Sequence, residues 1–415
     1  MSIRGAVPED LERGRVAVGE EPVVEVAPER TPATPGEWIR RNLFSSWFNG
    51  VLTVLSAGFV VYVGFRLLRF VFVTGDWSVF KANLRVFMVG RFPLEELWRV
   101  WTVAYVLCVL AGLSRGALPP IPWTAGRFAL SVLLGAAVGG ALLYLLESGR
   151  VWALLGLALA LYVGTSLAGR RLGRRVRTPL LVGWILAFPA IVLILSLGDV
   201  RAEQWGGMLL NLVVAIVAIF VSFPLGMLLA LGRRSTLPAL SAFCVGFIEL
   251  VRGVPLVILL ILGRFVLPLL LPPGWSPPQI IRAMIMITIF SAAYVAEVVR
   301  GGLQGIPSGQ YEAARALGLS TSRMMALVIL PQALRSTIPP MIGHFISVFK
   351  DTSLLAALGI FSDLLATARR ASLAHEFIGH GAEALLPAAV IFWAIAFSMS
   401  RWSQRVERRV GVGER

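Results

Sequence analysis

The sequence predicts an all-α membrane protein that crosses the bilayer about ten times. Of its 415 residues, 57% are hydrophobic and only 15% are charged, and the mean hydropathy is +0.79. Apolar runs of about 20 residues recur along the chain, and this is the length that a helix needs to cross a bilayer. A soluble protein of this size would need a far more polar surface. The predicted fold class is therefore a polytopic helical membrane protein.

The predicted spans follow the apolar runs in order. The first run begins near Gly50 after a long polar lead, so we expect a membrane anchor rather than a cleaved signal peptide. The ten predicted spans lie at about 50–72, 98–114, 127–147, 151–169, 178–198, 206–232, 240–271, 279–303, 326–350 and 384–402.

The positive charge predicts the orientation of these spans. The formal net charge of +15 comes almost entirely from arginine, because Lys81 and Lys350 are the two lysines. The arginines cluster at the ends of apolar runs, as orientation signals do. With the N-terminus in the cytoplasm, four arginine-rich connections fall on the cytoplasmic side, namely 169–177, 232–235, 301–325 and 401–409. The basic connection 73–97 falls outside and disagrees, but both termini are predicted to be cytoplasmic.

The charge does not indicate nucleic-acid binding, because no basic stripe with interleaved aromatics lies on a polar domain. Metal and disulfide chemistry are also not expected. Cys108 and Cys244 both lie inside apolar runs, which favours packing. His344, His375 and His380 are too few for a metal cluster, and His344 is interpreted as a packed histidine rather than a substrate ligand.

The character of the chain changes along its length and predicts three regions. Residues 1–37 have mixed charge, several prolines and no apolar periodicity, which predicts a disordered cytoplasmic tail. Residues 38–200 hold ordinary apolar spans and are predicted to form an accessory bundle of about five spans. Residues 201–415 carry prolines and charges inside five spans. Ionisable groups at membrane depth face protein or a water-filled path, so this region is the predicted working part.

The segment 306–331 between two spans is too polar to cross the bilayer. Pro307 ends the preceding span, Ser308 or Gly309 is expected to cap a short helix, and Glu312 is expected in its first turn. Gly318 fits the left-handed position that ends such a helix. A second short helix is expected to stop before Pro331.

The first of these helices is too short to be stable alone in water. Its small-residue face is therefore expected to dock into a partner. The alternative is an amphipathic helix on the membrane surface, but such helices prefer basic faces and bulky apolar anchors.

This segment resembles the EAA loop of ABC-importer permeases. Glu312–Ala314, then Gly318, then Val328–Pro331 match that loop at its fixed spacing, with valine where isoleucine is commoner. In that family the loop is a coupling helix that fits a cleft on a cytoplasmic ATPase. The resemblance thus implies an ATPase-coupling role for Tyr311, Glu312, Ala313, Ala314, Leu317, Gly318 and Leu319.

Flanking stretches narrow the resemblance to permeases of the polar amino acid uptake group. These stretches are FIELVRGVPLVILL (247–260), AAYVAEVVRGGLQGIPSGQYEAA (292–314), LPQALRSTIPP (330–340) and KDTSL (350–354). The similarity covers about 206–405 and implies a five-span type I importer core. WIRRNLFSSWFNGVLTV (38–54) and GRFPLEELWRV (90–100) are similar to the long permease subunit of general L-amino acid transporters. The stretch SVFKANLRVFMVG before the second of these departs from that pattern.

The resemblance implies a machine of several subunits in a bacterial inner membrane. A periplasmic amino-acid-binding protein would deliver an L-amino acid, and an ATPase dimer would drive its import. The chain has no Walker A pattern GxxxxGK[ST], so it is predicted not to be an enzyme itself, and ATP and Mg would bind the partner ATPase. The second permease is either another copy or a shorter homologous subunit, and the similarity to the long subunit favours the heterodimer.

Two groups of charged residues are candidates for the transport pathway. Lys350 and Asp351 lie 15 residues beyond Arg335, or roughly 22 Å along a helix, with Thr352 and Ser353 able to satisfy a broken helix end. They are either pathway or gate residues, or a charge pair that ends a helix at the outer interface.

The second group consists of Glu249 with Arg252, and Glu297 with Arg300. Each pair is three residues apart on one helix face and is expected to form an ion pair. The pairs are either structural or together form a cytoplasmic gate.

An ion- or proton-coupled secondary transporter of small polar solutes is the alternative function. It would have two similar halves in inverted order with broken spans in each, whereas here only the second half carries broken, charged spans. A membrane-embedded enzyme would need a catalytic constellation at membrane depth, and none is found in the sequence.

Overall fold

The computed structural model describes residues 34–117, 149–197, 200–275, 277–358 and 362–410. Within these ranges the chain is helical, and the extended contacts are isolated bridges between Gly90 and Trp205 and between Gly207 and Asp363. The chain divides into two compact units, Met1–Gly75 and Asp76–Arg415. The main helices are α1 Pro35–Leu43, α2 Trp47–Arg69, α3 Ser78–Val89, α4 Leu97–Ala117, α5 Gly149–Leu172, α6 Arg177–Ser196, α7 Gly207–Arg233, α8 Pro238–Gly253, α9 Leu256–Phe265, α10 Gln279–Gln304, α11 Ser308–Ala316, α12 Leu330–Asp351, α13 Leu364–Ser372 and α14 Gly381–Val410.

The described part of the first unit consists of α1 and α2. Thr34 and Glu37 form a reciprocal capping box that starts α1 at Pro35, inside the range predicted as a tail. Residues 1–33 of that predicted tail lie outside the described residues. Ser46 caps α2, which is apolar on all sides and has no buried residue. Such a helix is suited to a lipid environment.

Eight helical segments in the described ranges are long and apolar enough to cross a membrane, and a bent pair brings the number to nine. The predicted span 127–147 lies outside the described residues. The prediction of one continuous span at 240–271 is wrong, because α8 and α9 meet at an angle of 103°. Pro255 lacks a backbone N–H and holds Val254 in an extended conformation, which breaks the helix there.

The second unit is organised around α7 and α10, which pack closely along their length. At Gly226 the two backbones approach so closely that an added Cβ would lie 2.7 Å from the carbonyl oxygen of Ala292. One buried apolar cluster joins residues of α3, α4, α6, α7 and α10, among them Val89, Val103, Leu195, Leu210 and Ile287. Helices before and after residue 200 therefore share one hydrophobic core. The change in composition near residue 200 does not separate two packed units.

Candidate functional site

The helix α11 lies in the segment that resembles a coupling loop. It begins at Ser308, and Pro307 occupies the N-cap position without a side-chain hydrogen bond. The predicted cap at Ser308 or Gly309 is therefore wrong, and Glu312 falls in the second turn rather than the first. Pro307 has φ −57° and ψ 142°, the extended conformation of an N-cap, so the restricted proline φ angle suits the residue that precedes the helix.

The C-terminus of α11 ends as the sequence predicted. Gly318 has a φ of +73°, which confirms the left-handed conformation. The N–H of Leu319 donates to the carbonyl of Ala314 at 3.2 Å, and the N–H of Gly318 donates to Arg315 at 2.9 Å. These two bonds make a Schellman motif, which satisfies carbonyls that the helix end would leave free.

The two faces of α11 have different surroundings. On the inner face, Ala314 is buried, and the Tyr311 hydroxyl donates to the carbonyl of Leu303 at 3.3 Å and accepts from Arg234 at 3.0 Å. On the outer face, Glu312 and Ala313 are exposed, and Leu317 is 81% exposed. The structure thus anchors the helix on one side and leaves a small apolar surface free on the other.

The second helix of this segment does not stop before Pro331 as predicted. A helical turn Thr321–Met324 continues through a π-helical turn Met325–Ile329 directly into α12. The N–H of Leu330 donates to the carbonyl of Met325, five residues earlier. The wider turn accommodates Pro331, whose missing N–H would interrupt a regular helix. Thr321–Ala356 is therefore one span-length helical segment.

Glu297 on α10 is the centre of an ion cluster that joins three helices. Its carboxylate accepts hydrogen bonds from the guanidinium of Arg300, one of them at 2.8 Å from Nε. The Nη1 atoms of Arg233 and Arg252 each lie 3.5 Å from Glu297 Oε2. Arg233 also reaches Glu249 Oε1 at 3.4 Å. The cluster connects the end of α7 and the end of α8 to α10.

This arrangement confirms one of the two predicted ion pairs. Glu297 and Arg300 pair as expected, but Glu249 pairs with Arg233 and Arg252 pairs with Glu297. A contact between helices replaces the local pair because α7 and α10 bring opposite charges against α8. The sequence did not predict a role for Arg233 in this cluster, because an arginine at the end of a span also serves as an orientation signal.

The predicted outer group lies where α12 ends. Asp351 is the last residue of α12, and a 3₁₀ segment Thr352–Leu358 follows. Thr352 is buried and donates to the carbonyl of Phe349 at 2.6 Å, as predicted for a broken helix end. Lys350 is exposed and Ser353 is half-buried.

Asn211 on α7 holds this end of α12 in place, although no role was predicted for it from the sequence. Its side chain is fully buried, and its amide donates to Thr352 Oγ1 at 3.1 Å. Its carbonyl oxygen accepts from the N–H of Leu364 at 3.0 Å. A polar residue in the long apolar run of α7 was the one available signal, because a buried amide needs partners.

Comparisons with known proteins agree with this architecture. Residues 222–412 match the family described as "Binding-protein-dependent transport system inner membrane component". The chain is 35% identical to the "Inner membrane amino-acid ABC transporter permease protein YhdY" of Escherichia coli K12, over 91% of this chain and 93% of that protein. It is 36% identical to the "Glutamate/glutamine/aspartate/asparagine transport system permease protein BztC" of Rhodobacter capsulatus, over 90% and 93%.

A shorter relative, the "Probable glutamine ABC transporter permease protein GlnP" of Bacillus subtilis, is 33% identical over 50% of this chain and 94% of its own length. The chain therefore belongs to the permease family of ABC importers, and it is a multi-pass transmembrane subunit of that family.

Proposed function

We propose that this permease imports L-amino acids and that a periplasmic binding protein delivers them. The names of two relatives that match nearly the whole chain support this substrate class, and one of them names glutamate, glutamine, aspartate and asparagine. In this proposal the chain is the long subunit of a heterodimer with a shorter homologous permease. Its first half, residues 38–200, is the accessory bundle, and residues 201–415 are the transporting core.

The observation that carries the proposal is the two-sided environment of α11. Tyr311, Ala314 and Leu319 hold the helix against the membrane core. Glu312, Ala313, Leu317 and Gly318 are exposed and form a surface that no other described residue covers. A separate ATPase dimer, which binds ATP and Mg, docks on that surface and moves α11 together with the helices behind it.

The ion cluster and the outer end of α12 have separate roles in this proposal. Glu249, Arg252, Glu297 and Arg300 form a cytoplasmic gate, because their contacts connect α7, α8 and α10 on the side of α11. Lys350, Asp351, Thr352 and Ser353 line the outer part of the pathway. In this proposal the protein lies in a bacterial inner membrane, and both of its termini are in the cytoplasm.

The experiment reconstitutes the permease with its ATPase, its second permease and its binding protein in proteoliposomes. ATP-driven uptake of radiolabelled L-glutamine, L-glutamate, L-aspartate and L-asparagine is measured. Leu317→Ser should release the ATPase during purification and abolish uptake, because it removes the largest apolar side chain from the docking surface.

Leu373→Ser is the matched control for this substitution. Leu373 is 76% exposed, similar to Leu317, and lies on the opposite side of the membrane in the proposed orientation. We expect this variant to keep its ATPase and its uptake. Uptake of all four amino acids in liposomes that lack the ATPase would overturn the proposal.

A further inference from the structure

The short helix α1 has two chemically different sides. At the spacing of a helix, Trp38, Ile39 and Leu43 fall on one side, whereas Arg40 and Arg41 fall on the other. Trp38 and Ile39 are exposed, Leu43 is half-buried, and no residue of α1 is buried. The described residues therefore leave the apolar side of this helix largely uncovered.

Local hydrogen bonds keep the acidic residue of α1 at its N-terminus. The Thr34 hydroxyl accepts from the N–H of Glu37 at 3.4 Å, and Glu37 Oε2 accepts from the N–H of Thr34 at 3.2 Å. Glu37 is the single acidic residue of α1, and this capping box holds its carboxylate at the start of the helix. Arg40 and Arg41 lie in the last turn, which therefore carries two positive charges and no negative charge.

A contact with α2 fixes the level of α1 along that helix. The Thr53 hydroxyl donates to the carbonyl of Leu43 at 2.8 Å, which satisfies one of the carbonyls that the end of α1 leaves free. The ring of Phe44 lies against the same part of α2, because a Cβ added at Gly50 would be 3.3 Å from its Cδ1 atom. Thr53 is in the second turn of α2, about 9 Å along the axis from Trp47. The end of α1 is therefore beside the second turn of α2 and not beyond its first residue.

The length of the span that includes α2 puts this level at the membrane boundary. The helical segment Trp47–Thr74 has 28 residues and is about 42 Å long, whereas the hydrocarbon core of a bilayer is about 30 Å thick. The excess of roughly 6 Å at each end lies among the lipid headgroups. Trp47, which is 81% exposed, is suited to that layer because tryptophan concentrates at membrane interfaces. Thr53, and with it the end of α1, lies where the headgroups meet the acyl chains.

We propose that α1 lies in the membrane interface and that Arg40 and Arg41 bind the headgroups of anionic phospholipids. Trp38, Ile39 and Leu43 enter the outer part of the acyl chains, as the apolar side of an interfacial helix does. The guanidinium groups extend toward the phosphates, which they bind through charge-assisted hydrogen bonds. A helix of nine residues is not stable alone in water, and the bilayer supplies the surface that it needs.

The position and the charge of α1 favour lipid over a protein as the partner of this surface. Three residues, Phe44, Ser45 and Ser46, separate α1 from a membrane span, so α1 stays next to the bilayer. Each arginine near an anionic surface favours binding by about fivefold. The inference concerns how the first unit is anchored, and it does not depend on which amino acid the permease transports.

The test measures which lipids surround the apolar side of α1 in the complete, reconstituted transporter. Ile39→Cys carries a bimane fluorophore in a background of Cys108→Ala and Cys244→Ala, and the vesicles contain equal amounts of phosphatidylglycerol and phosphatidylcholine. Bromine atoms on the acyl chains of either lipid quench the fluorophore only at close range. We expect brominated phosphatidylglycerol to associate with this position about fivefold more strongly than brominated phosphatidylcholine. Size-exclusion chromatography checks that each labelled complex is assembled.

Removal of the two charges should abolish this preference. In Arg40→Gln combined with Arg41→Gln the association ratio should fall to about one, because the remaining apolar side chains do not distinguish the two lipids. Arg170→Gln combined with Arg171→Gln is the matched control. These two arginines are also adjacent and exposed in the last turn of a helix, α5, so the same charge is lost while the ratio at position 39 should remain.

Three results would overturn the proposal. A fluorophore that neither lipid quenches would show that α1 lies in water or against another protein. Equal quenching by the two lipids would exclude recognition of the anionic headgroup. An unchanged ratio after the loss of both Arg40 and Arg41 would assign the preference to other residues.

Discussion

Arg233, the last residue of α7, lies 3.5 Å from Glu297 on α10, although 64 residues separate them in the chain. This contact joins the two helices that form the centre of the second unit. Glu297 also forms ion pairs with Arg252 and Arg300, so three guanidinium groups share one carboxylate. Glu297 therefore pairs with a guanidinium group from each of the three helices α7, α8 and α10.

The first prediction concerns that carboxylate. Glu297→Gln should lower the free energy of unfolding by about 1–3 kcal/mol, because three guanidinium groups lose their common partner. It should also raise ATP hydrolysis in the absence of amino acid, since a weakened gate opens without substrate. Thermal unfolding of the purified complex and its basal ATPase rate measure the two effects.

Glu249→Gln is the comparison. The Glu249 side chain is 57% exposed and, within the described residues, pairs with Arg233, so its loss should cost about 0–1 kcal/mol. Equal losses for the two variants would show that Glu297 is not the centre of the cluster.

The second prediction concerns the end of α11. Gly318→Val should disrupt ATPase coupling, because a β-branched residue in the left-handed conformation costs about 1–2 kcal/mol. An added Cβ at Gly318 would meet no atom within 4 Å, so the effect would come from backbone strain and not from a clash. Gly318→Asn, which tolerates this conformation, should retain most uptake. Loss of uptake in both variants would contradict the backbone explanation.

The third prediction concerns the close packing of α4 on α5. An added Cβ at Gly112 would lie 2.1 Å from Thr165 Oγ1 and 2.5 Å from the carbonyl of Tyr162, so Gly112→Leu should separate the helices. We expect a loss of about 1–3 kcal/mol in a thermal unfolding assay. At Gly164 an added Cβ would meet no atom within 4 Å, and Gly164→Leu should leave stability nearly unchanged. Similar midpoints for the two variants would show that this contact is loose.

The fourth prediction concerns pH and Asp363, which is fully buried and caps α13. Burial raises the pKa of Asp363 from 3.8 to about 6, against the N–H groups of Ala366 and Leu365, which lower it. Between pH 4 and 6 the folded state binds a proton that the unfolded state releases. The free energy of unfolding should therefore rise as the pH falls from 6 to 4, by at most about 3 kcal/mol.

Asp363→Asn provides the control for this titration. Asparagine still caps the helix but does not ionise, so this part of the pH dependence should disappear. Arg370 lies near enough to interact with Asp363, and Arg91 lies near enough to interact with Arg370. A stability profile of the variant that matches the parent between pH 4 and 6 would assign the titration to another group.

Local patterns in the sequence determined most of the spans and the end of α11. Except at 240–271, the length of each apolar run predicted the spans of the described residues, because a helix must be about 20 residues long to cross a bilayer. Gly318 predicted the end of α11, since few other residues adopt a left-handed conformation there. The bend at Pro255 was not predicted, because a proline indicates a disturbance of the helix but not its angle of 103°.

The partners of the polar residues were decided by the tertiary structure alone. Asn211 contacts Thr352 and Leu364, which lie 141 and 153 residues away, and His344 contacts Ser291 across 53 residues. Glu249 was predicted to pair with Arg252, three residues along its own helix, but it pairs with Arg233 on α7. In a helix that is apolar on nearly all sides, the sequence pattern does not specify which face meets a neighbour. The contacting face depends on how each helix is rotated and how the helices cross. Packing between segments that are distant in the chain sets both.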